Sequence, residues 1–290
     1  MRECIGGGAG ALSEEKIREL LDEDIGYGDI TSEALIEEGR RAQARLFFQE
    51  DGIAAGLMEA GAIFRYLGCD AKILEEEGRR APRGRVLMEI EGPARALLAG
   101  ERTALNLVGR MAGIATAVAM AVAKAKKVNP GIRVAATRKT APGLRALDKR
   151  AVELGGGDAH RFGLDDCVLI KDNHLNFGLT AGEAVERARR RVSFTKKIEI
   201  EVRTQEDAVE AAGSGADIVM FDNMPPDEIR ACLSVLRGKG LRDGRLFEAS
   251  GGITLENVAE FAATGVDIVS MGSLTHSVRN LGVKLEIEPV

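Results

Sequence analysis

After Pro130 the sequence alternates short apolar runs with helix-patterned stretches, and this alternation constrains the fold more than any other feature. The runs fall at residues 133–136, 167–170, 197–202, 218–221, 246–249 and 268–271. Strands separated by helices point to a parallel sheet, because a parallel pair needs a long crossover connection. An internal echo sharpens the reading. Gly215-Ala216-Asp217-Ile218-Val219 is answered by Gly265-Val266-Asp267-Ile268-Val269, and each copy follows a helical stretch, at 206–212 and 255–263. Each copy therefore reads as the end of one αβ repeat. Six such strands in series favour a β/α barrel, while a doubly wound open sheet uses the same pattern.

The first third reads differently. Ser13 is placed to cap a helix, with Glu14 and Glu15 in its first turn and Ile17, Leu20 and Leu21 on one face. A turn at 24–29 follows, then strand-like pieces at 44–49 and 85–90 on either side of a helical stretch at 55–67, the pattern of a small α+β domain. A long helical region spans about 95–127, with a break expected near Gly113 and an Ala-rich second half that lets another element approach. The expected boundaries are a disordered tail at 1–12, a small domain at 13–112 and a barrel at 113–277, with 278–290 returning to the first domain.

Bulk properties narrow the function. The chain has 290 residues and a formal net charge of -5, which argues against a nucleic-acid binder. Cys4, Cys69, Cys167 and Cys232 lack CxxC spacing, so neither a zinc site nor a disulfide framework is indicated, and a reducing cytoplasm fits best. The apolar run at 113–123 is too short to span a bilayer, and the Gly-rich start lacks the apolar core of a signal peptide.

The polar residues that end the six strands are, in order, Thr137-Arg138-Lys139, Lys171-Asp172-Asn173, Glu201, Asp222-Asn223, Ser250-Gly251-Gly252 and Gly272-Ser273. In a β/α barrel these ends converge on one mouth. Arg138 and Arg161 suit planar, bidentate recognition of carboxylates, and Lys139 and Lys171 act as point charges for phosphate. Lys171 at a strand end also fits a Schiff-base lysine of the aldolase kind. The alternation of Ile198, Ile200 and Val202 with Glu199 and Glu201 is equally the mark of an edge strand with a solvated face. In a barrel both glutamates point into the lumen, and Glu201, nearer the mouth, is the better candidate. Glu201 and Asp222 together form a site for Mg²⁺, which prefers oxygen ligands. The two glycine-containing ends let backbone N–H groups and a following helix N-terminus approach an anion, although Gly-Gly alone is no more than a turn. His160 draws toward the site through its neighbour Arg161, and His276 is evenly balanced. His174 reads as structural. On a helix expected at 144–154, Lys149 and Arg150 read as a solvated face.

Seven stretches carry a closer likeness: GYGDIT at 26–31, ERTALN at 101–106, TRKTAPGLR at 137–145, GGGDAHRFGLDD at 155–166, LIKDNH at 169–174, MFDNM at 220–224 and EASGGITLENV at 248–258. In these motifs, and over nearly everything after Leu12, the chain resembles the quinolinate phosphoribosyltransferase family. The resemblance implies an α/β fold in which a smaller N-terminal α/β sandwich packs beside an incomplete, roughly seven-stranded β/α barrel. It also implies a homodimer or higher oligomer with shared active sites. The implied reaction joins quinolinate to phosphoribosyl pyrophosphate in NAD biosynthesis, giving nicotinate mononucleotide, pyrophosphate and CO₂. The acidic motif of the commoner phosphoribosyltransferases is absent, which agrees with this separate fold type.

By position, the resemblance places Arg138, His160 and Arg161 in the quinolinate pocket, with Arg102 reaching in from the other subunit. It places Lys139 and Lys171 at the dicarboxylate or pyrophosphate, and Glu201 and Asp222 at the ribose and Mg²⁺. It makes Ser250, Gly251, Gly252, Gly272 and Ser273 the cradle for the 5′-phosphate, with His276 near the phosphates. Lys139, Lys171, Glu201 and Asp222 are the catalytic candidates. Ala141 and Asp158-Ala159 depart from the family pattern without removing a functional group. The rival readings are a related pyrophosphorylase acting on another heteroaromatic acid, a Lys171 aldolase, and a non-catalytic phosphate-sugar binding protein.

Overall fold

The structure, a computed structural model, describes residues 12–290. Of the tail expected at 1–12, all but Leu12 lies outside the described residues. The chain divides into two compact units. One takes the residues up to Thr116 with 153–155 and Val278–Val290, and the other takes Ala117–Val152 and Gly156–Ser277.

The first unit opens with α1 (Glu14–Ile25), whose first turn is capped by the Ser13 side chain accepting from Lys16 N–H, and α2 (Ile30–Leu35), capped by Asp29. Strand β1 (Arg41–Phe48) alternates exposed Arg41, Gln43 and Arg45 with buried Ala42, Ala44, Leu46 and Phe48. The short β2 (Gly52–Ile53), α3 (Leu57–Tyr66), β3 (Asp70–Ile73), β4 (Arg80–Ala81) and β5 (Val86–Pro93) follow. The inward side chains of β1 and β5 cluster with Leu57 and Phe64 of α3. Each large apolar side chain fully buried there contributes about 2–3 kcal/mol.

Helix α4 (Ala94–Val128) is continuous over 35 residues, so the break expected near Gly113 is not there. The glycines serve close approach instead. Leu281 N–H donates to Gly109 O at 2.9 Å, and a Cβ on Gly113 would run into the Arg279 carbonyl. Gly109 and Gly113, one turn apart, leave a groove in which residues 279–281 lie against the helix. By length and composition α4 could cross a bilayer, but 61% of its most apolar window is buried within the protein.

The second unit carries β6 (Arg133–Ala135), α5 (Arg145–Leu154), β7 (Val168–Ile170), α6 (Asp172–Leu175), α7 (Ala181–Arg191), β8 (Ile198–Val202), α8 (Gln205–Gly213), β9 (Ile218–Asp222), α9 (Pro226–Gly238), β10 (Leu246–Ser250), α10 (Val258–Ala262), β11 (Ile268–Ser270) and α11 (Ser273–His276). All six strands are parallel, in the order β6-β11-β10-β9-β8-β7. The first strand thus pairs with the last. A doubly wound sheet would not do this, and a barrel does. Between β6 and β7 the ladder is open, with only an isolated bridge from Ala135 to Asp158. The roughly seven-stranded barrel implied by resemblance is, among the described residues, one of six strands. The repeat expected from its sequence echo ends in β9 and β11. Strand β12 (Val283–Pro289) belongs to the first unit, where it pairs antiparallel with β1 in the sheet β12-β1-β5-β3.

Register sets the lumen in layers. Glu201, Met220, Glu248 and Ile268 occupy one row across β8 to β11. Two residues on, Asp222, Ser250, Ser270 and Ala135 form the next. Because the side-chain period of a strand is two, both rows face the same side. The opposite parity (Ile198, Ile200, Val202, Val219, Phe221, Phe247) is buried against the helices.

Candidate active site

A cavity of about 560 Å³ opens at the C-terminal ends of the strands, and all six contribute to its wall. From β6 come Arg138 and Lys139; from the following loop, His160 and Arg161; from β7, Lys171. Glu201 and Arg203 follow on β8, Asp222 and Asn223 on β9, Ser250, Gly251 and Gly252 on β10, and Ser270 on β11. Ten of the residues singled out from sequence therefore meet in one space. Gly272, Ser273, His276 and Arg102 are not in its lining. Gly272 nevertheless lies beside it, since a Cβ there would stand 3.1 Å from the Lys139 side chain. Arg102 is exposed on α4, in the first unit.

One wall is cationic. The turn after β6 is fixed by Thr137 Oγ1, which accepts from Lys139 N–H at 3.1 Å, and by Thr275 Oγ1, which donates to Lys139 O at 2.9 Å. Arg138 Nε is buried without a hydrogen-bond partner among the described residues. Burial and the charges of Arg161 and Arg145 disfavour its guanidinium, lowering it from its ordinary value. Arg161, only 9% exposed, donates Nη1–H to Cys167 O at 3.2 Å. Arginines crowded like this, with donor groups unspent, form a ready receptor for a small polyanion.

Lys149 was expected on a solvated face, and the structure corrects this: it is fully buried, while Arg150 is half-buried. Its ammonium donates to Ala159 O and to Arg161 O, the latter at 2.9 Å, tying α5 to the loop that carries His160 and Arg161. Burial, with Arg145 adding repulsion, pulls it down to about 8. A base depressed on folding makes stability rise with pH between its folded and unfolded values, here from about 8 to 10.5. Wild type should therefore gain about 2 kcal/mol on Lys149→Met between pH 7.5 and 9.5 in urea titrations. A stability difference that stays flat over that range would remove the buried ammonium.

The opposite wall is acidic and glycine-lined. Lys171 caps α6, its N–H donating to His174 Nδ1 at 2.9 Å, which gives His174 the structural part expected of it. The Lys171 ammonium binds Glu201. Arg203 bridges Asp222 and Asp172, at 3.0 Å from each. Sequence reasoning missed Arg203, although it shares the parity of Glu199 and Glu201 and so was legible as a lumen residue. After β10 the chain turns through Gly251 (φ 98) and Gly252 (φ 63), next to Asn223 (φ 55), whose N–H donates to Ser250 O at 2.8 Å. The helices that follow β10 and β11 have five and four residues, so an anion there would find peptide N–H groups rather than a long helix dipole.

Below this wall sit Glu199 and Glu248, both fully buried, with His160 Nε2 at 3.5 and 3.3 Å. Burial alone would lower the imidazole, but the two carboxylates outweigh it and push it up to about 10. Burial, with Glu248 adding repulsion, raises Glu199. Such groups titrate together. His160 Nδ1 accepts the Arg161 N–H at 2.8 Å, which leaves Nε2 as the nitrogen that turns a proton toward the carboxylates.

Comparison with known proteins agrees over both units. The model of the quinolinate phosphoribosyl transferase C-terminal domain matches residues 114–286, and that of the N-terminal domain matches residues 29–112. A probable carboxylating nicotinate-nucleotide pyrophosphorylase of Methanothermobacter thermautotrophicus is 46% identical over 93% of this chain and 97% of its own. The human carboxylating nicotinate-nucleotide pyrophosphorylase is 39% identical, over 88% and 85%. The crystal structure of NadC from Streptococcus pyogenes gives a TM-score of 0.88 at 33% identity, covering 95% of this chain and 96% of that one.

Proposed function

The chain belongs to the quinolinate phosphoribosyl transferase family, and from that premise we propose how its cavity carries out the family's reaction. The protein transfers the phosphoribosyl group of phosphoribosyl pyrophosphate to quinolinate and releases pyrophosphate and CO₂, leaving nicotinate mononucleotide for NAD synthesis. The observation that carries our reading is the division of one cavity into a cationic wall and a carboxylate-and-glycine wall.

Arg138 and Arg161 hold the quinolinate dianion and present its ring nitrogen to C1 of the ribose. Lys139 and Lys171 take charge from the departing pyrophosphate. As the C1–O bond breaks, positive charge develops on the sugar, and Glu201 and Asp222 stand where that charge needs compensation; positioning and electrostatics supply most of the catalysis. Once alkylated, the positive pyridinium nitrogen stabilises as an ylide the electron pair left on C2 when the adjacent carboxylate leaves as CO₂, and C2 then takes a proton from water. Ser250, Gly251 and Gly252 receive the 5′-phosphate, with Gly272, Ser273 and His276 behind them.

The donor set of Glu201 and Asp222 fits Mg²⁺. Each is a hard oxygen ligand, and Asp222, bonded to Arg203 and Asn223, keeps lone pairs to spare. Mg²⁺ bound there would offset the charge of the pyrophosphate. We further assign a homodimer in which Arg102 enters the neighbouring site, and a cytoplasmic setting, which suits the free thiols of Cys69, Cys167 and Cys232. A Lys171 aldolase is disfavoured because its ammonium is committed to Glu201, whereas a Schiff-base lysine must be free and deprotonated.

Purified protein with Mg²⁺ and phosphoribosyl pyrophosphate should release CO₂ from quinolinate labelled in its 2-carboxylate, and EDTA should stop it. Turnover of another heteroaromatic acid but not quinolinate would overturn the substrate and point to a related pyrophosphorylase.

A further inference from the structure

His160, Glu199 and Glu248 form a trio at the floor of the cavity, which His160 and Glu248 help to line, and the two glutamates have no part in the chemistry above. Glu199 and Glu248 are wholly buried, and none of their four carboxylate oxygens has an aligned hydrogen bond among the described residues. They flank His160 Nε2, while Nδ1 accepts the backbone N–H of Arg161. An N–H arriving at Nδ1 requires a lone pair there, so the ring proton sits on Nε2 and points between the carboxylates.

The same polarity argues against a metal, although the three side chains lie close enough to chelate one. A ligating histidine donates its second N–H to an acceptor, and here that second nitrogen is the acceptor. His160 Nε2 faces the two carboxylates at 3.5 and 3.3 Å, and its other nitrogen is taken by the Arg161 N–H. What it does control is its neighbour. His160 has φ 53, a left-handed conformation that a non-glycine residue adopts at a cost. That turn directs Arg161 into the cavity wall, and Lys149 ties the same loop from behind through Arg161 O.

We propose that Glu199 and Glu248 are positioning residues of the quinolinate pocket, which hold the His160 ring and so fix the turn that presents Arg161. The proposal rests on Arg161 being a quinolinate ligand. Glu248→Ala should raise KM for quinolinate about tenfold while leaving KM for phosphoribosyl pyrophosphate within about twofold. Glu248→Gln, which keeps an oxygen to accept from Nε2–H, should stay within about threefold of wild type. In an Arg161→Ala background, adding Glu248→Ala should change KM for quinolinate by less than about twofold, because the two act through one contact.

Additive effects, a kcat loss with both KM values intact, or a Gln variant as damaged as Ala would each overturn the proposal. Arg161→Ala alone separates it from its premise. An unchanged KM there removes Arg161 from the pocket and the proposal with it, whereas a raised KM there but not in Glu248→Ala overturns the positioning alone. Should Glu248→Ala not fold, Glu199→Ala takes its place with the same expectations. An unchanged KM for quinolinate in folded Glu199→Ala, or an effect that adds to that of Arg161→Ala, would overturn the proposal.

Discussion

Arg138→Met should cost about a thousandfold in kcat/KM for quinolinate, about 4 kcal/mol, and at the same time leave the ligand-free protein more stable. Both effects have one origin. Arg138 is half-buried, its Nε has no hydrogen-bond partner among the described residues, and Arg161 and Arg145 repel it. That arrangement is unfavourable until an anion enters, and a bound dianion would give each unspent donor an acceptor. Methionine keeps much of the stem and removes the charge, so it relieves the repulsion in the free protein and forfeits the contact in the complex. A gain of about 1 kcal/mol would raise the melting temperature by about 2 °C in a protein of this size. KM for phosphoribosyl pyrophosphate should move little. A variant that loses stability along with activity would mean that Arg138 supports the fold, and an equal rise in both KM values would place it between the two substrates.

The barrel was legible because parallel strands covered on both faces read as short apolar runs, broken by a carboxylate only at Glu199, Glu201 and Glu248, and the six runs match β6 to β11 to within one or two residues. Its strand ends were legible for a related reason, since a charge directly after such a run has few structural uses. The first unit was less so. β3 and β12 carry alternating charges over short spans, Asp70-Ala71-Lys72-Ile73 and Val283-Lys284-Leu285-Glu286-Ile287, which local pattern cannot separate from loop. The continuity of α4 depends on residues 279–281 meeting Gly109 and Gly113 from far along the chain, and no window on the helix contains that contact. Lys149 fails for the same reason, because its acceptors are main-chain carbonyls ten and twelve residues away. Glu248 did leave a signal, a lone carboxylate inside the run at 246–249 and in phase with Ser250. Two residues of one parity on a barrel strand face the same lumen, so Ser250 at the strand end itself pointed to the glutamate below it.

Gly251→Ala should raise KM for phosphoribosyl pyrophosphate about a hundredfold and leave KM for quinolinate within about threefold. Gly251 sits at φ 98, outside the range that an L side chain adopts without strain. A Cβ there would also meet the Asn223 side chain and stand 2.9 Å from the Asn223 backbone nitrogen, closer than carbon normally approaches. Neither neighbour is free to yield. Asn223 N–H is bonded to Ser250 O, its side chain holds Asp222, and Asn223 itself occupies the left-handed region at φ 55. The strain must therefore pass into the β9 and β10 ends together, moving the N–H groups of the cradle and the Asp222 carboxylate by a few tenths of an ångström. Positioned groups lose orders of magnitude to displacements of that scale. The cationic wall is built on the end of β6 and the loop that carries Arg161 and shares no residue with this turn, which is why quinolinate binding should survive. Gly252→Ala is the matched control: at φ 63 it carries similar backbone strain, yet a Cβ there meets nothing within 4 Å. A smaller loss in that variant would assign the damage to the Asn223 contact. Equal losses would assign it to the backbone conformation that the two glycines share, and no change in KM for phosphoribosyl pyrophosphate in either variant would move the phosphate away from this turn.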